Sequence, residues 1–171
     1  MAKAKAIEGL AAGDSYGDVA ARTIATRSEE LIAEARGVLD AGDIERVHDM
    51  RVATRRLRAS LEVFEPCVPR KPFRQVLREV KRLADALGER RDRDVGILFL
   101  RRFNEQMPAP DRRGVESLAE CLLAEQDDAN SGLAPLVDHA RLAALKQGLD
   151  ELVAAARGRA VAAPATEDGA A

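Results

Sequence analysis

The 171-residue chain has no Trp and a single Tyr, and aromatics make up only 3% of it. Its core must therefore come from Leu, Val, Ile and Ala, which suits close-packed helices. The same scarcity removes the stacking platform on which single-strand nucleic-acid binders lay their bases. Two cysteines, Cys67 and Cys121, lie far apart and outside any Cys-x-x-Cys or metal-ligand cluster, so both read as reduced, half-buried thiols. No apolar run approaches the ~20 residues of a membrane span. Glu8 interrupts what would be the apolar core of a signal peptide, so a cytoplasmic protein is expected. Apolar residues nowhere alternate with period two over a strand's length, which argues against a sheet.

What is present is charge, unevenly spread. The net charge is −2. Residues 44–102 nevertheless hold 16 Lys+Arg against 9 Asp+Glu, a net of +7, and the rest of the chain carries −9. A basic centre between acidic flanks implies a localised anion site, not a nonspecific polycation.

The helical spacing of the apolar residues predicts an all-α antiparallel helical bundle of about five to six helices over 14–157. A loose start at 1–13 and a disordered tail at 158–171 flank it. Asp14 or Ser15 is placed to cap a first helix reaching about Ala41. Gly42-Asp43 opens the second helix, which ends at Glu65-Pro66, and Pro66, Pro69 and Pro72 stiffen the turn beyond it. A third helix spans about Phe73 to Leu87, with Gly88 as its stop. A short helix follows over about Asp92 to Gln106. Asp111 caps another over about 112–131, which Gly132 and Pro135 bend or end, and a last one covers about 140–157.

The second helix is the informative one. At ~100° per residue, His48, Arg51, Arg55 and Arg58 share one flank while Met50, Ala53, Leu57, Leu61 and Phe64 form the apolar face. The cationic row runs roughly 15 Å at ~1.5 Å rise per residue, longer than one phosphate and suited to a chain of them. Arginine's planar fork matches phosphate oxygens with two parallel hydrogen bonds. Arg56 sits off the row, where an acid is an alternative partner. On the third helix Arg74, Arg78 and Lys81 fall within about 60° of one another. Antiparallel neighbours joined by a short turn pack side by side, so the two rows are expected to border one groove. Arg91 would sit just ahead of a helix N-terminus, which also favours anions. Asp92 and Asp94 read as a helix cap and a salt bridge to Arg91 in preference to a metal pair. His139 has no such company and reads as structural.

These residues resemble the CHAD family, the conserved histidine α-helical domain. Its first signature resembles His48-x-x-Arg51-Val52-x-x-Arg55-Arg56-x-Arg58, and its second Leu87-Gly88-x-x-Arg91-Asp92-x-Asp94-Val95. The resemblance implies a helical domain that binds inorganic polyphosphate on a basic surface and has no chemistry of its own. It implies an association with polyphosphate granules as well. The family domain usually pairs two such bundles around a shared basic channel, whereas this chain has one His/Arg helix and looks like the first half. A homodimer would complete the arrangement.

The expected function is therefore non-catalytic polyphosphate binding through His48, Arg51, Arg55, Arg56, Arg58, Arg74, Arg78, Lys81 and Arg91, with no metal, no other cofactor and no membrane. Binding should weaken with salt, and should weaken as pH rises through about 6–7 if protonated His48 takes part. The alternatives are a nucleic-acid binder, disfavoured by the missing aromatics, and a scaffold whose groove takes acidic protein surfaces. A phosphotransferase or phosphatase would need a nucleophile or a metal-held water.

Overall fold

The computed structural model describes residues 4–157. They form five α-helices: α1 (Tyr16–Glu34), α2 (Ile44–Val63), α3 (Arg70–Gln106), α4 (Arg112–Leu133) and α5 (His139–Arg157). Short 3₁₀ turns at Glu65–Cys67, Ala109–Asp111 and Ala134–Leu136 join the later ones, and no strand occurs among the described residues. The fold is the all-α bundle that the spacing predicts. The expected tail over 158–171 lies outside the described residues.

Local chemistry sets the start of α1. Ser15 Oγ accepts the Asp18 N–H at 3.1 Å, and its hydroxyl donates to Asp18 Oδ2 at 2.7 Å. The serine thus caps the helix N–H while the Asp18 carboxylate fixes its hydroxyl. α1 ends at Glu34, short of the expected Ala41, and the chain turns away at Gly37, whose φ of 73° suits a residue without a Cβ. The described part of the stretch before α1, from residue 4, was read as a loose start but is pinned to α1. The Lys5 N–H donates to Glu30, Arg27 donates to the Lys5 carbonyl at 3.0 Å, and Arg22 pairs with Asp14 at 3.3 Å.

The core is aliphatic, as the composition requires. Ala20, Ala21, Ile24 and Leu31 of α1 meet Val47, Met50, Leu57 and Leu61 of α2, Val80, Leu83 and Leu87 of α3, and Leu149, Leu152 and Ala156 of α5. Small alanines let α1 lie between α2 and α5, while α3 packs on α2 along one part and on α4 along another. Cys67 is buried and Cys121 exposed, so the two thiols are not equivalent, and neither is in a disulfide. No helix among the described residues is long and apolar enough to cross a membrane.

The largest departure from the sequence reading is α3. The expected helices Phe73–Leu87 and Asp92–Gln106 are one helix of 37 residues, ~55 Å long at ~1.5 Å per residue. Gly88 is its middle, not a stop, and Asp92 caps nothing. Leu83, Leu87, Arg90, Asp94 and Ile97 continue one buried face straight through the glycine. Packing along that face outweighs the ~1 kcal/mol that an interior glycine costs a helix. The other expected caps are also altered. Asp43 and Asp111 stand at the N-cap positions of α2 and α4, but neither side chain bonds a helix N–H.

Candidate functional site

Arg91 sets how α2 and α3 lie against each other. Its Nη1 donates to the Ile44 carbonyl at 3.1 Å, and its Nη2 lies 3.8 Å from Glu45 Oε1. Both helices rise equally per residue, so each step up α2 from Ile44 is a step down α3 from Arg91. His48 is therefore level with Leu87 and Gly88, Arg51 with Ala84, Arg55 with Val80 and Lys81, and Arg58 with Leu77 and Arg78.

Azimuth decides which flank faces α3. Arg56 lies about 80–160° round α2 from His48, Arg51, Arg55 and Arg58. Its charge acts on Glu30 of α1, so the Arg56 flank is the α1 side. The row on the opposite flank borders α3. On α3, Lys81 and Arg74 lie about 80–100° from Arg91, on the solvent side of the α2 contact. The spacing thus sets Arg74 and Lys81 on the flank of α3 toward α2, while Arg78, about 140° round from Arg91, lines the cavity between α3 and α5. Arg55, Arg58, Arg74, Arg78 and Lys81 are exposed, while His48 and Arg51 are half-buried.

Their partners divide the nine expected site residues. Arg51, Arg55, Arg74, Arg78 and Lys81 make no ion pair among the described residues. Arg58 pairs with Glu62 at 2.9 Å, both about half exposed. Such a solvated i,i+4 pair is worth only a few tenths of a kcal/mol and yields readily to a stronger anion. Arg91 is engaged as a tie from α3 to α2, and Arg56, whose charge acts on Glu30 of α1, is engaged as well. The expected position of Arg91 ahead of a helix N-terminus is corrected: it sits inside α3, its acidic partner is Glu45 instead of an acid of the Asp92/Asp94 pair, and no free N–H groups adjoin it.

The Arg56 side carries a buried acid with a consequence for stability. Burial pushes the Glu30 carboxyl up. The Lys5 N–H, the Arg27 hydrogen bond and the charges of Arg27 and Arg56 outweigh this and hold its pKa below the ordinary 4.5. A depressed carboxylate pKa adds stability above the unfolded value, and that stability disappears as pH falls through the folded value. Glu30→Gln is expected to cost about 1–2 kcal/mol at pH 7. It should also flatten the fall of stability below the ordinary 4.5. Urea midpoints at neutral and acid pH check this, and a mutant curve parallel to the wild type's would contradict it.

The sequence reading missed Arg90. It is fully buried and pairs with Asp94 one turn on, and Asp94 Oδ1 also accepts from Gln126 of α4 at 2.6 Å. Arg90 Nε, Arg90 Nη2 and Asp94 Oδ2 are buried with no partner among the described residues. This network ties α4 to the middle of α3. Asp92 is exposed and Asp94 closed in, so the two acids do not converge. Among the described residues no group of three or more His, Cys, Asp or Glu is placed to hold a metal. Arg70 was also missed. It opens α3 on the face of Arg74 and Lys81, but the prolines around it hid that turn of helix. His139 is exposed at the start of α5.

One aromatic surface exists after all. Phe99 and Phe103 stack at 6.1 Å and are 64% and 42% exposed. They sit on α3 roughly 27 Å beyond Lys81, at ~1.5 Å per residue, outside the groove between the basic rows.

The profile of the CHAD domain family matches residues 22–171. The chain belongs to the CHAD domain family. No curated protein matches it.

Proposed function

We propose that the chain binds inorganic polyphosphate, without catalysis, along the groove between α2 and α3. The single observation that carries this reading is a set of cations left without acids. Arg51 and Arg55 on α2, and Arg74 and Lys81 on α3, face one groove in this reading, with the unpaired Arg78 farther round α3 over the α3–α5 cavity, while their neighbours Arg46, Arg56, Arg82 and Arg91 are engaged with other groups. Adjacent uncompensated charges repel, and a linear polyanion relieves the repulsion along its length. Arg58 joins when Glu62 releases it. His48, level with Gly88, supplies a donor at the other end of the row. Membership of the CHAD family accords with polyphosphate as the anion.

Absence of catalysis is part of the proposal. The two acids of the Arg-Asp-x-Asp run do not share a site: Asp94 is consumed by Arg90 and Gln126, and Asp92 faces solvent. Incubation of polyphosphate with the protein and Mg²⁺ or Mn²⁺ is expected to release no phosphate above a buffer blank.

Single-stranded nucleic acid is the second reading, and the exposed Phe99–Phe103 pair is what favours it. Competition separates the two. Unlabelled polyphosphate should displace labelled polyphosphate at far lower phosphate concentration than single-stranded RNA does, because among the described residues no exposed Phe lies beside the basic groove. Equal competition, lost in Phe99→Ala/Phe103→Ala, would favour the nucleic acid. Pairing of two copies about a two-fold axis, which completes the two-bundle arrangement of the family, also belongs to the proposal. Light scattering should give a dimer mass with long-chain polyphosphate, and a monomer mass throughout would contradict it.

A further inference from the structure

Among the glycines of the described residues whose surroundings are defined, Gly88 is the one deep inside a helix with no structural reason to be glycine. A helix keeps a glycine for one of two ordinary reasons. The first is a left-handed backbone, and among the described residues only Gly9 and Gly37 have positive φ. The second is close packing. A Cβ on Gly96 would lie 3.0 Å from Leu122, and one on Gly148 would lie 3.0 Å from Val76. A Cβ on Gly88 would meet nothing within 4 Å. Gly114 and Gly132 are equally open, but they lie near the two ends of α4. Gly88 is in the middle of the longest helix, where glycine weakens the backbone most and alanine would fit. The fold alone therefore favours alanine at this position.

Its place in the groove supplies another reason. Gly88 is level with His48 on α2. It lies about 60° round α3 from Arg91, which touches α2, and about 20° from Lys81, which lines the open row. A side chain there would rise into open space beside Lys81, on the edge of the α3 row nearer α2. We propose that Gly88 is a positioning residue for the anion: its missing side chain lets the phosphate chain lie against the α3 backbone, close enough for cations from both helices to reach it together. The assignment rests on the polyphosphate reading and adds to it the path the chain takes.

The test uses the full chain with long-chain inorganic polyphosphate and compares Gly88→Ala, Gly88→Leu and the control Gly114→Ala. Alanine and leucine are both strong helix formers. Gly88→Ala is expected to raise the Tm by about 1–4 °C and still to weaken binding about threefold. Gly88→Leu should weaken binding about tenfold or more, one decade being ~1.4 kcal/mol. The salt slope should not change, because no charge is lost. Gly114→Ala should leave affinity unchanged. Wild-type affinity in both Gly88 variants overturns the assignment alone. A changed light-scattering mass with unchanged affinity also overturns it and moves Gly88 to an interface between copies. Failure of the folded wild type to bind polyphosphate overturns this assignment and the parent reading together.

Discussion

Arg51→Ala/Arg55→Ala is expected to lower the affinity for long-chain polyphosphate by about 30-fold or more in moderate salt, with the Tm almost unchanged. The size follows from two charge-assisted contacts of at least ~1 kcal/mol each. The unchanged Tm follows from the fold. Neither side chain is in an ion pair among the described residues, and neither belongs to the core. Removing two of several uncompensated positive charges relieves repulsion, so stability should hold or rise slightly. Arg91→Ala is the informative contrast. It breaks the tie to the Ile44 carbonyl and Glu45, so it should cost stability and change affinity little. Isothermal titration and thermal melts on the two variants check both halves. Equal losses of affinity would return Arg91 to the binding surface. Full affinity in the double variant would remove α2 from it.

The second large effect is expected at the buried arginine. Arg90→Met leaves Asp94 enclosed with Gln126 as its remaining partner, and breaking one side of a buried ion pair costs about 3–5 kcal/mol. Replacing both members with apolar groups is a different experiment, because the charge left behind is what costs most. Arg90→Met/Asp94→Leu is expected to regain most of the loss. Urea denaturation of the wild type, the single and the double variant measures this. A double variant less stable than Arg90→Met would mean that the network stabilises through its hydrogen bonds, not through mutual neutralisation.

α2 and its apolar face were legible in the sequence because signals at every level agreed. Gly42-Asp43 precedes the helix, Pro66 follows it, and Met50, Leu57 and Leu61 recur at helical spacing and are fully buried. The placing of His48, Arg51 and Arg55 away from that apolar face was legible for the same reason, as was the packing of α2 on α3 through a short turn. The middle of α3 was not. Gly88 followed by Asp92 imitates a stop and a new cap, and only the packing of Leu87, Arg90, Asp94 and Ile97 against other helices overrides that local signal. A sequence clue did exist: these four continue the spacing of Val80 and Leu83 without a break. Which of Arg90 and Arg91 turns inward depends on where α4 lies, and that is set by contacts such as Gln126 to Asp94, 32 residues apart. The separate fates of Arg56 and Arg58 depend likewise on Glu30 and Glu62.

The most direct test of the central claim is a titration of the wild-type chain with long-chain polyphosphate at two salt concentrations, about 50 and 200 mM. Five to six groove cations meeting phosphates predict a slope of log K against log salt of about −3 to −5, and hence a loss of roughly two to three decades across that interval. Tight binding at the lower salt with that slope is the expected result. A folded protein that does not bind, or binds with a slope near zero, would contradict a polyphosphate site built from the unpaired cations of α2 and α3.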